Sequence, residues 1–137
     1  MIEQLTVFLE NTKGRLTALC SALGQAGVNM QALVVADTSD YGIVRIICDK
    51  PAEALAALDA AGFRATIAEV IGVAVPHEPG GLAGVFEALD GADVNIEYSY
   101  CFTGEGGGAT VALKAADPAA TTLAAAGYTL VSQADLA

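Results

Sequence analysis

The 137-residue chain has no tryptophan, one histidine, and only six basic residues against sixteen acidic ones. The formal charge of −10 argues against a phosphate backbone or an anionic membrane as partner. Lys13, Arg15, Arg45, Lys50, Arg64 and Lys114 stand singly, without the basic stripe that nucleic acid requires. Three cysteines, Cys20, Cys48 and Cys101, are an odd number without Cys-x-x-Cys spacing. Neither a disulfide framework nor a zinc site is expected from them. Cys20, on a helix face, and Cys48, at a strand end, read as small core residues. No apolar run approaches the ~20 residues that cross a bilayer. The N-terminus enters Ile2-Glu3-Gln4-Leu5 without a leader pattern. The expected setting is therefore reducing and cytoplasmic. His77, the single histidine, adjoins Glu78, but no nucleophile motif accompanies it. No catalytic residue, metal ligand or cofactor is expected.

What the chain does have is apolar residues, 54% of the total, with 16% charged, which is a globular balance. It also has a repeat. Glu10-Asn11-Thr12-Lys13-Gly14-Arg15-Leu16 opens an apolar helix face that closes at Gly27-Val28-Asn29-Met30. Pro76-His77-Glu78-Pro79-Gly80-Gly81-Leu82 does the same and closes at Asp93-Val94-Asn95-Ile96. The shift is 80 − 14 = 66, and again 95 − 29 = 66. Across 9–30 and 75–96 it aligns seven identities without a gap: Gly14/Gly80, Leu16/Leu82, Ala22/Ala88, Leu23/Leu89, Ala26/Ala92, Val28/Val94 and Asn29/Asn95. One fold used twice retains its turn glycine, helix face and strand entry in this way. The expected units are 1–69 and 70–137.

Each unit reads as β-α-β-β-α-β. In the first, a strand over 2–9 precedes a helix over 14–26 and a strand over 28–37. The turn Asp37-Thr38-Ser39-Asp40 leads into the β-branched run 42–48. A helix then opens at Pro51, whose missing N–H is harmless in a first turn, and a strand covers 63–69. In the second, strands over 70–75, 94–102, 109–114 and 128–133 alternate with helices over 80–91 and from Asp117-Pro118. Asp117 is placed to cap the last helix. The glycine run 106–108 joins two strands and lacks a following Lys-Ser/Thr, so it is a hairpin tip rather than a phosphate loop.

This order, with Asn-x-x-Gly-x-Leu after the first strand and Gly-Val-Asn-Met/Ile after the first helix, resembles the ACT domain. The matching residues are Asn11, Gly14, Leu16, Gly27, Val28, Asn29 and Met30, then Pro79, Gly80, Leu82, Val94, Asn95 and Ile96. Over nearly its whole length the chain is similar to free-standing tandem ACT proteins that carry no enzyme. The resemblance implies an α+β fold of two ferredoxin-like units, each an antiparallel sheet with helices on one face. In the strand order 4-1-3-2 the second strands, 28–36 and 94–102, are edges. Their pairing would give a side-by-side, eight-stranded pseudo-dimer. The resemblance further implies a non-catalytic amino-acid sensor that acts on a regulated partner and assembles as a homodimer. A ligand-free scaffold of the same fold is the alternative.

The same resemblance puts ligand contacts at Asn11 and Asn29, and the main site is expected there with Lys13, Gly14, Arg15 and Leu16, closed by Asp37, Tyr41, Gly42 and Ile43 or by an opposing strand edge. A second, weaker or empty one is expected at His77, Gly80, Gly81, Leu82, Asn95 and Tyr98. The chemistry is suitable. Amides at a helix N-terminus favour a carboxylate, and each Asn supplies both donor and acceptor. The competing reading is that Asn11 only caps the helix and Asn29 only turns the chain. Tyr98 and Tyr100 share one strand face and suit either packing or a pocket wall.

Overall fold

Alternation along the first strand sets the architecture. In β1 (Ile2–Glu10) Leu5, Val7 and Leu9 are buried, while Thr6, Phe8 and Glu10 alternate to the other face and retain exposure. The computed structural model describes residues 1–36, 41–103, 108–116 and 118–136. After β1 come α1 (Arg15–Gln25), β2 (Met30–Ala36), β3 (Tyr41–Cys48), α2 (Pro51–Ala60) and β4 (Arg64–Val75). Then follow α3 (Gly81–Gly91), β5 (Ile96–Thr103), β6 (Ala109–Ala115), α4 (Pro118–Ala125) and β7 (Leu130–Val131). The expected turn at 37–40, residues 104–107 of the expected turn at 104–108, and the Asp117 cap lie outside the described residues.

Two compact units result. One is Glu3–Ala68 with Leu136; the other is Glu69–Asp135 with Met1–Ile2. In the first, the strand order is β4-β1-β3-β2, and in the second it is β7-β4-β6-β5. Both are the order 4-1-3-2, with antiparallel ladders. In the first unit Leu19 and Leu23 of α1 and Ala54 and Leu58 of α2 pack on Leu5, Val7, Val44 and Ile46. In the second, Val85 and Leu89 of α3 and Ala119 and Leu123 of α4 pack on Ile71, Val73, Val111 and Leu113. Each large apolar side chain fully buried this way contributes about 1.5–3 kcal/mol.

Three expectations need correction. The second strands do not join: the ladder of β2 runs to β3 and that of β5 runs to β6. The described residues form seven strands, not eight, because β4 is one strand of 12 residues serving both units. Residues 64–71 contain no glycine, proline, asparagine or aspartate, so nothing interrupts it. The last strand is also shorter than 128–133. It ends at Val131, where the Ser132 amide and hydroxyl donate to Asp135 Oδ2 at 2.8 and 2.9 Å and a 3₁₀ turn, Gln133–Leu136, begins. Finally, Cys48 is buried but Cys20 is only half-buried.

The ends of the chain are tied down. The Gln133 amide donates to the Met1 carbonyl at 3.3 Å. The Gln31 side-chain amide donates to the Leu136 carbonyl.

Candidate functional site

The loops before α1 and α3 share the same main-chain hydrogen bonds. The Thr12 amide donates to the Glu10 carbonyl at 2.8 Å, and the Glu78 amide to the Pro76 carbonyl at 2.9 Å. The Arg15 amide reaches the Thr12 carbonyl at 3.4 Å, and the Gly81 amide the Glu78 carbonyl at 3.1 Å. The residues before the helices, Gly14 and Gly80, sit at φ 90° and 84°, in the left-handed region that glycine enters without strain. No side chain caps either helix. Asn11 is therefore not the N-cap. The second and third amides of each helix, Leu16 and Thr17 or Leu82 and Ala83, face a helix start with positive dipole character and no capping side chain.

In the second unit this loop roofs a cavity of about 400 Å³, the size range of small-molecule sites. Pro76, His77 and Glu78 come from the loop, and Leu82 from the first turn of α3. The floor is the helix side of the sheet. There Val75 pairs with Ala109, Cys101 with Val111, and Thr103 with Ala109, which puts their side chains on one face. Cys101 is exposed, and the partial desolvation it does have pushes its thiol above its ordinary value. Gly81 has a steric reason to be glycine, since a Cβ there would lie 2.2 Å from the Pro76 carbonyl oxygen.

The site residues expected from sequence are distributed unevenly. His77 and Leu82 line the cavity, and Gly80 and Gly81 shape its roof. Asn95 is exposed just ahead of β5 and does not line it. Tyr98 pairs with Lys114, and Tyr100 with Ala112, on the sheet face away from the helices. Tyr98 is thus a packing residue of that face and not a wall of this pocket. Sequence reasoning missed Pro76 and Glu78 in the loop and Val75, Cys101, Phe102, Thr103, Ala109 and Val111 in the strands. The signal for Cys101 and Thr103 was parity: they alternate with the tyrosines.

In the first unit Asn11, Lys13, Gly14 and Leu16 are exposed around the corresponding loop. The Arg15 side chain turns away to lie over the Phe63 ring, 4.5 Å from its centroid. Only its amide belongs to the loop. Asn29 is held by main chain: its N–H donates to Asp49 Oδ1 at 2.9 Å, and its carbonyl accepts from the Asp49 amide at 3.2 Å. That is a strand-entry role. Tyr41 is 62% exposed, while Gly42 and Ile43 continue β3 opposite Leu9 and Phe8. Asp37, expected to close this loop, lies outside the described residues. Among the described residues no cluster of His, Cys, Asp or Glu could hold a metal ion, and no helix is long and apolar enough to cross a membrane.

A doubled β-α-β-β-α-β fold with a glycine-bent loop before each first helix defines a class of small regulatory modules. The chain belongs to the ACT domain family: the model for an ACT domain pair matches residues 1–135. A solved structure, protein BT0572 from Bacteroides thetaiotaomicron, is 35% identical with a TM-score of 0.92. The match covers 98% of this chain and 94% of that one. The regulatory subunit of aspartate kinase from Thermus thermophilus shares the fold at 21% identity and TM-score 0.68, covering 92% and 91%. That from Thermus flavus does so at 20% and 0.60, covering 93% and 92%. No curated protein matches the sequence.

Proposed function

We propose that this chain is a non-catalytic sensor that binds a free amino acid and regulates a partner protein. The observation that carries the reading is the cavity of about 400 Å³ beneath a helix start whose amides have no capping side chain. A ligand carboxylate suits the amides of Leu82 and Ala83. The exposed Glu78 carboxylate at the rim suits the ammonium, and the rest of the ligand enters the cavity. The likeness in fold to regulatory subunits of aspartate kinase supports a regulatory role. The first-unit loop, with Asn11, Gly14 and Leu16, repeats the amide geometry and is the second site of the same kind.

The protein acts in the cytoplasm and as a homodimer, with apolar side chains left exposed at Phe8, Leu33 and Val35 as contributors to the contact. Light scattering should give twice the 13.8 kDa chain mass; a monomer throughout the micromolar range would remove the dimer from the reading.

The test of the sensor is a thermal-shift and calorimetric screen of the twenty common amino acids. At least one should bind at or below millimolar concentration. His77→Ala should weaken it by up to about tenfold, the value of one hydrogen bond. If no amino acid binds at millimolar concentration, the scaffold function replaces the sensor.

A further inference from the structure

Granting that the second-unit cavity is the amino-acid site, its walls go further and select among amino acids. We infer that it takes an amino acid with an uncharged aliphatic side chain, of the valine to leucine class. Val75, Leu82, Ala109 and Val111 supply aliphatic surface and Phe102 also lines the cavity. Cys101 and Thr103 add only small groups, and both residues are exposed.

Charge excludes the alternatives. Among the described residues no lysine or arginine lines the cavity, so an acidic ligand side chain would find no counter-charge from them. Glu78, an acidic residue of that lining, would disfavour it. A lysine or arginine ligand would place its cation against the aliphatic floor, away from Glu78, which is exposed at the rim. A charge taken out of water without a partner is strongly disfavoured. Small polar ligands would leave the aliphatic surface wet and gain little. Glu78 at the rim and the Leu82 and Ala83 amides are placed for the two charged groups that every amino acid has, so the wall alone discriminates.

The preference belongs to the second unit. At the shift of 66, the places of Pro76, His77 and Pro79 are taken by Glu10, Asn11 and Lys13. The first-unit rim, Glu10-Asn11-Thr12-Lys13, is therefore polar throughout where the second has two prolines beside His77 and Glu78, and one ligand class does not suit both.

Calorimetry on the full chain with L-leucine, L-valine, L-aspartate and L-lysine tests this. Leucine or valine should bind at least about tenfold more tightly than aspartate or lysine, the discrimination that a methylene-sized difference in an apolar pocket already provides. Ala109→Leu, which fills the floor, should weaken leucine about tenfold or more and move the preference toward valine. Cys101→Phe, on an edge strand where folding is less at risk, should do the same if the first variant is unstable. Aspartate or lysine binding as tightly as leucine, and lost in the same variants, would overturn the aliphatic preference while leaving the site in place. Binding of any amino acid that neither variant disturbs would overturn the site and the preference together.

Discussion

Asp93 sits at φ 56°, the left-handed position that its counterpart in the first unit, Gly27, occupies at φ 72°. An L side chain is crowded there, although aspartate tolerates it better than most. Asp93→Gly should raise stability by up to ~1 kcal/mol. Urea denaturation should show a higher midpoint at unchanged slope. Gly81 is the opposite case. A Cβ 2.2 Å from a backbone oxygen forces the loop itself to move. Gly81→Ala should cost ~1–3 kcal/mol and should impair ligand binding as well. At the C-terminus, the hydrogen bonds from the Ser132 amide and hydroxyl hold the Asp135 carboxyl below its ordinary value of 3.8. A depressed folded value means that the contribution is present above about 3.8 and is lost as pH falls through the lower folded value. An NMR pH titration should show Asp135 and the Ser132 amide changing together in that acid range, and Asp135→Asn should abolish the coupling.

At the scale of elements, Leu23 and Leu89 are equivalent positions, both fully buried on the sheet side of α1 and α3. Leu23→Ala and Leu89→Ala should each cost ~2–5 kcal/mol, read by denaturant titration. These helices were legible because their apolar spacing and their preceding glycines agree. So was the order of elements along the chain, since the repeat shows two copies of one pattern; the strand order 4-1-3-2 came from the resemblance to the ACT domain. The continuity of β4 was visible as a missing linker, but its consequence was not. Periodicity places strands without assigning their neighbours, so the edges were joined instead. The short β7 was not legible either: Leu130 and Val131 promise a longer strand, and the turn that stops it is made by Ser132 and Asp135 side-chain bonds. The cavity was half legible. Its roof lies in one stretch, 76–82, whereas its floor comes from the end of β4 and from β5 and β6. There the register shifts between Ile96 and Tyr98, and the choice between tyrosine face and cysteine face depends on that shift.

For the whole molecule the formal charge of −10 matters. Self-repulsion of that size opposes the compact state, and salt screens it. The melting temperature should rise between low ionic strength and ~0.15 M salt, where the Debye length falls to about 8 Å. Melting curves across a salt series check this; an unchanged or falling midpoint would count against it. A ligand at a hundred times its dissociation constant should add a further ~2.7 kcal/mol. The loop before α1 is held by main-chain hydrogen bonds and one left-handed glycine, with no side-chain cap. Mutations at positions 10–13 should therefore alter chemistry with little change to the scaffold, whereas the rings of Pro76 and Pro79 help to set the second loop. In a fold written twice, a change in the chemistry of one such loop leaves the other copy, and the folding of both, untouched.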